Sequence, residues 1–176
     1  MRAPGLPTTT DVEALAADCL SRALAGGAAG ADVVFSAGSG ASLSLRDGEV
    51  EESVRGISCG VGLRTILSDG RQGVAFVNGF EASMLSCLVP WSLANARVGT
   101  ADEAVGLYEG SLEEDPSLEM EDPRVLEISP ADRRAWALEM TDRARSEDPR
   151  VVSVRAASWG DEWGAGFYAS STGASG

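Results

Sequence analysis

Apolar residues recur along the first part of the chain with helical spacing. Val12, Leu15, Ala16, Cys19, Leu20, Ala23 and Leu24 fall on one face. Thr10-Asp11-Val12-Glu13 reads as a capping box, in which a hydroxyl and a carboxylate three residues later satisfy the first free amides. Gly26-Gly27 stops the helix. Its polar face is acidic or neutral, which suits a core helix and not one lying on a membrane. The period then shifts to two. Residues 31–37 (ADVVFSA) predict a strand and Gly38-Ser39-Gly40 a turn. Residues 41–46 predict a second strand, with Leu43 and Leu45 alternating with Ser42, Ser44 and Arg46. The glycine cluster has no Lys and leads into a strand, so it is no phosphate cradle.

Two Asp-Gly pairs, Asp47-Gly48 and Asp69-Gly70, predict tight hairpins, because such turns need positive φ at their central residues. Val50, Glu52 and Val54, then Ile57 onward, extend the sheet, and residues 71–77 add a further strand. Gly60 and Gly62 inside strand-like sequence predict a bulge or a close backbone approach. Residues 81–97 predict a helix with Met84, Cys87, Leu88, Trp91 and Ala94 on its apolar face, kinked or interrupted at Pro90. Ser129-Pro130-Ala131-Asp132 starts another, with Ala135, Trp136, Met140 and Ala144 marking its apolar side, and Asp148-Pro149-Arg150 ends it. Residues 151–154 read as a strand paired with Gly164 to Ala169. Trp159, Asp161, Glu162 and Trp163 fall in the connection, and packing or a partner contact outweighs ligand binding by those tryptophans. The expectation is an α+β fold: a mostly antiparallel, hairpin-rich sheet with about three helices packed on it.

Composition narrows the chemistry. At 176 residues, 44% apolar and 23% charged, the chain predicts one globular domain over 1–176. No apolar run is long enough to span a bilayer and the start lacks a signal-peptide core, so the expected compartment is the cytoplasm. There is no His and no Lys, and all 14 basic residues are Arg. That excludes an imidazole base, a His-based zinc site, a Schiff base and a P-loop lysine. Residues 101–129 carry ten acids and one base, a net −9 out of −13, and predict a solvated acidic linker. The Glu113-Glu114-Asp115 run lacks the spacing of a calcium loop. Such a charge balance repels phosphate backbones, so no direct nucleic-acid contact is expected. Cys19, Cys59 and Cys87 match no zinc or redox spacing, and Cys19 and Cys87 read as small buried hydrophobes.

Several segments, in order, carry a family resemblance: the Asp47-Gly48-Glu49-Val50-Glu51 hairpin, Gly60-Val61-Gly62-Leu63-Arg64, and Asp69-Gly70-Arg71-Gln72-Gly73. Asp122-Pro123, Ile128-Ser129-Pro130-Ala131-Asp132-Arg133, Asp148-Pro149-Arg150-Val151 and Ala169-Ser170-Ser171-Thr172-Gly173 continue it. Together they make the chain resemble the N-terminal domain of the PmbA/TldD family, subunits of bacterial peptidase complexes also called modulators of DNA gyrase. The linker and the Ser-Pro-Ala-Asp helix look more like the PmbA (TldE) branch. Pro90 departs from the family pattern.

The resemblance implies a non-catalytic subunit that pairs with a homologous TldD-type subunit to enclose a chamber. In such complexes zinc lies in the C-terminal half of the TldD-type subunit, held by an H-E-x-x-x-H helix. This chain has no His, so no catalytic residue carries over and no cofactor is expected within it. The family's C-terminal domain is expected to be absent. The implied work is shaping the chamber wall, contacting the partner and holding an unfolded peptide by sheet-edge pairing. The expected edge is Gly60, Val61, Gly62, Leu63 and Arg64, or else Gly164 to Ala169. A proline at Val61 or Leu63 is then expected to abolish peptide capture without unfolding the domain.

Two alternatives stand beside this reading. One is a free-standing protein- or peptide-binding domain with no peptidase role. The other is a carboxylate hydrolase using Glu49, Glu51 and Glu52. Glu49 and Glu51 would share a strand face and Glu52 would oppose them. An exposed hairpin gives no burial to separate their pKa values, which favours a solvated strand face.

Overall fold

The computed structural model describes residues 8–110, 112, 116–118 and 120–176. In order come α1 (Thr9–Ala25), β1 (Gly30–Arg46), β2 (Glu49–Ile66), β3 (Gln72–Asn78) and α2 (Ala82–Val98). Two 3-10 turns (Pro116–Leu118 and Pro123–Glu127), α3 (Pro130–Glu147) and β4 (Ala157–Ser170) follow. The four strands form an antiparallel sheet in the order β3-β2-β1-β4, so the α+β, hairpin-rich class holds. Glu113-Glu114-Asp115 lies outside the described residues.

The strands are fewer and longer than the sequence predicts. β1 runs straight through Gly38-Ser39-Gly40, because neither glycine adopts positive φ. β2 is likewise one 18-residue strand. Its pairing to β3 is unbroken from Gly60↔Asn78 to Ile66↔Gln72, so Gly60 and Gly62 make no bulge there. They do permit a close approach: a Cβ on Gly60 would run into the Phe76 ring. The two Asp-Gly turns differ. Asp47 and Gly48 both take positive φ (50° and 91°), giving a two-residue hairpin. In the other only Gly70 does (80°), and its N–H donates to Leu67 O at 3.0 Å.

Residues 151–154 are not a strand. They buttress the first turn instead: Asp47 Oδ1 accepts from the Val154 N–H at 2.9 Å, and the Asp47 N–H donates to Val154 O at 3.1 Å. The bond from the Val154 N–H, followed by that from the Ser153 hydroxyl, holds the Asp47 carboxyl below its usual range. Trp159, Asp161, Glu162 and Trp163 lie within β4, not in a connection.

The chain divides into two compact units. The larger takes α1, β1 as far as Ala37, Ser58–Leu118 and Ala165–Gly176. Its core joins Val12, Ala16, Cys19 and Ala23 of α1 to Val33, Phe35, Val61, Leu63, Ala75 and Val77 of the sheet, and to Leu85, Leu88, Val89 and Leu93 of α2. The α1 capping box sits earlier than predicted, on Thr8 and Asp11. Gly27 (φ 102°) ends the helix, with the Ala28 N–H donating to Ala23 O at 3.1 Å.

α2 buries Leu85, Leu88, Val89, Ser92, Leu93 and Ala96, so of the predicted face only Leu88 is buried. Met84 and Trp91 are 38% and 49% exposed. The helix continues through Pro90. A proline at 90 leaves Ser86 O without its helical donor, and Arg22 Nη2 of α1 donates to that oxygen at 3.4 Å. α2 lies so close to β3 that a Cβ on Gly73 would overlap backbone atoms of Ser92, Asn95 and Ala96. The first part of the acidic linker is mostly exposed, as the sequence predicts, but tethered: Leu107 reaches Gly30, Arg64 donates to Gly106 O at 3.4 Å, and Thr172 Oγ1 donates to Tyr108 O at 2.6 Å.

The smaller unit takes Gly38–Ile57 and Glu119–Gly164. Ser129 and Asp132 cap α3 reciprocally, as the sequence predicts. Its buried face is Arg133, Ala137 and Thr141, at i, i+4 and i+8, and not Ala135, Met140 and Ala144. Ala137 and Leu138 cover Leu43 and Leu45, and Trp136 packs on Trp159 with ring centroids 4.6 Å apart.

The close approach of α2 to β3 sets a stability test. Gly73→Ala should destabilise the chain by about 3 kcal/mol, because backbone cannot yield as a side chain can. Gly56→Ala, whose Cβ would meet nothing within 4 Å, should stay within about 0.5 kcal/mol. Urea unfolding of the two variants checks this, and equal midpoints would contradict the packing described.

Candidate functional site

The predicted site at 60–64 is not an edge. β2 is flanked there by β1 on one side and β3 on the other, so both sets of backbone groups are used. Val61 and Leu63 are fully buried, and a proline at either would break the core and the ladder together. Gly60, Gly62 and Arg64 alternate onto the opposite sheet face. Arg64 is committed to Asp32 through Nε (3.1 Å) and Nη2 (2.5 Å), and Tyr168 Oη donates to the same carboxylate at 3.4 Å. Hydrogen bonding to Asp32 lifts the Arg64 pKa above its ordinary value. On this face Val34, Val74 and Phe76 are 48%, 57% and 56% exposed.

The edge lies earlier in the same strand. β3 pairs only with residues 60–66 of β2, so residues 49–57 have β1 on one side and no partner on the other among the described residues. All of Glu49 to Ile57 are exposed, including Val50, Val54 and Ile57. Glu51 pairs with Arg46, while Glu49 and Glu52 remain on an open strand, so no buried carboxylate pair forms there. β4 is the other end of the sheet order, and Gly164 to Gly166 are exposed on it. Tyr168 already exchanges two backbone bonds with Gly176, so the later part of that predicted edge is occupied.

Beside the first edge the smaller unit encloses a cavity of about 140 Å³. Ala41, Leu43, Ser53, Val54, Arg55, Val125, Leu126, Ile128 and Trp163 contribute to its walls. Arg133 and Asp161 complete the lining, joined by Nε–Oδ2 (2.5 Å) and Nη2–Oδ1 (2.8 Å) contacts, each side chain about 11–12% exposed. Asp161 raises the Arg133 pKa by hydrogen bonding, against the lowering effect of burial. A buried pair of this geometry neutralises itself, and losing one partner would cost about 3–5 kcal/mol. The sequence held the signal in Trp159-x-Asp161-x-Trp163, an inward period of two that the loop reading passed over.

The residues present do not fit a zinc centre. The chain has no His, and among the described residues no three His, Cys, Asp or Glu converge. The Cys19 thiol is buried, and burial pushes its pKa up, away from the thiolate a metal needs. No described helix is long and apolar enough to cross a membrane.

Two family models match the chain in succession: PmbA/TldA metallopeptidase domain 1 over residues 31–89, and the PmbA/TldA metallopeptidase central domain over residues 123–176. No curated protein sequence matches it. Among solved structures, one named as a modulator of DNA gyrase from Bacteroides thetaiotaomicron is 25% identical, with a TM-score of 0.80, over 96% of this chain and 38% of that one. One of the same name from Thermotoga maritima is 20% identical, with a TM-score of 0.78, over 94% and 36%. TldE from Thermococcus kodakarensis is 18% identical, with a TM-score of 0.77, over 90% and 35%. The latter two likenesses concern the fold, and the chain spans little more than a third of each of the three proteins. Two consecutive family matches on one shared fold lead to a single assignment: the chain belongs to the PmbA/TldD family, matching its domain 1 and its central domain.

Proposed function

We propose that this chain is the non-catalytic N-terminal part of a PmbA/TldE-like subunit in a TldD/TldE-type zinc metallopeptidase complex, where it holds extended substrate peptide instead of cutting it. The observation that supports this best is the outer side of β2 at residues 49–57, which has no strand partner among the described residues. An added strand bonds to backbone N–H and C=O groups, which every sequence carries, so such an edge suits leader peptides or unfolded segments of varied sequence. Across the two-residue turn Arg46 and Glu49 form the first bonded pair, so beside the turn Glu49 and Glu51 bond to β1 while Val50 and Glu52 turn their N–H groups outward.

Zinc and the catalytic base belong, on this reading, to a homologous TldD-type subunit, because this chain has no imidazole to offer. The 176 residues act as one domain, since β1, β2 and β4 each contribute to both compact units without a break.

Glu52→Pro removes one outward N–H and no bond to β1, a position where an edge strand tolerates proline. Fluorescence anisotropy of a labelled, unstructured peptide should show affinity falling about tenfold, from one lost hydrogen bond plus the bar its ring sets to a neighbouring strand. Affinity equal to that of the unsubstituted chain would remove this edge from the function. Calorimetry should show one unfolding transition for the whole chain, and two separate transitions would contradict the single-domain reading.

A further inference from the structure

We infer that the cavity beside the β2 edge is a side-chain pocket for the bound peptide, and that it selects a phenol-bearing, tyrosine-like residue. This rests on the edge reading proposed above. Three observations carry it. Ser53, Val54 and Arg55 belong both to the open edge and to the cavity wall. A strand added along residues 49–57 would send alternate side chains to the face on which Val54 lies, and one of these would stand over the cavity mouth.

Size sets the class of occupant. A volume of about 140 Å³ compares with the roughly 150 Å³ of cavities that accept benzene, so one six-membered ring fills it. Leu43, Val54, Leu126, Ile128 and Trp163 offer the apolar and aromatic surface such a ring needs.

Charge sets the tip. Arg133 and Asp161 cancel one another, so the cavity holds no unpaired buried charge to attract a Lys or a carboxylate into it. Arg133 spends Nε and Nη2 on Asp161, and Nη1 makes no hydrogen bond among the described residues. That nitrogen donates to a phenol oxygen at the end of the ring. A ring without a polar tip leaves it unmet, which ranks tyrosine above phenylalanine and both above alanine.

The test uses the whole chain and labelled ten-residue peptides of alternating Thr and Val with one central guest: Ala, Asp, Lys, Phe or Tyr. The Tyr peptide should bind about tenfold more tightly than the Ala peptide, within the range by which pockets discriminate small groups. Ala41→Leu, which fills the cavity, and Val125→Trp, which blocks its wall, should each bring the Tyr peptide down to the level of the Ala peptide. In parallel, p-cresol is titrated while the Trp163 indole N–H resonance is followed by NMR. A saturable shift, absent in Ala41→Leu, is expected. Equal binding of all five guests with no p-cresol shift overturns the pocket and leaves the edge reading intact. A p-cresol shift without binding of any peptide overturns both the edge reading and the assignment of the pocket to a peptide side chain.

Discussion

A mismatch of strand lengths governs this molecule. β2 has 18 residues and β3 has seven, so hydrogen bonding between them must stop. It stops at Gly60↔Asn78, where Gly79 turns the chain with φ 95° and its N–H donates to Cys59 O at 3.0 Å. β3 cannot easily lengthen at its other end, where the Asp69-Gly70 turn closes the hairpin. Where β3 covers β2 the inward residues are core: Val61, Leu63 and Thr65 are fully buried, and α2 sits over Gly73. Everything it fails to cover is exposed, from Glu49 to Ile57. One strand therefore serves as a structural centre over one half and as an open edge over the other.

Open edges invite aggregation, and proteins that keep them place charges along them. Glu49, Glu51, Glu52 and Arg55 do this here. Charged side chains project from the sheet faces and do not consume the outward backbone groups, so a suitable strand can still add. The chain lacks any imidazole, and several of its charged groups are tied up in ion pairs or caps, as with Arg64–Asp32, Arg133–Asp161 and the Asp132 cap on Ser129. On the function proposed above, the hydrolytic chemistry comes from a partner subunit and this chain holds the peptide.

Features governed by neighbouring residues were legible in the sequence. The Asp47-Gly48 hairpin, the glycine stop after α1 and the Ser129-Asp132 cap of α3 each depend on a few consecutive residues, and each forms where those residues stand. Features governed by distant residues were not. Gly38 and Gly40 look like turn glycines, but a glycine with negative φ simply continues a strand. α2 is apolar on more than one side, so Met84 and Trp91 competed with Leu85, Val89 and Leu93 for the inward face, and only packing on β3 decides between them. Arg133 and Asp161 are 28 positions apart and show their pairing only when α3 lies on β4. The edge was placed one half-strand too late because edge status depends on the length of a neighbour, which no local pattern in β2 records.

Amide hydrogen exchange along β2 tests this account most directly. In the free chain the N–H groups of Val50 and Glu52 should exchange quickly while those of the stretch between β1 and β3, from Val61 to Thr65, remain protected by the core. Addition of an extended peptide should then slow the two outward amides selectively. Uniform protection along the whole of β2 in the free chain would contradict the open edge, and with it the function proposed for this molecule.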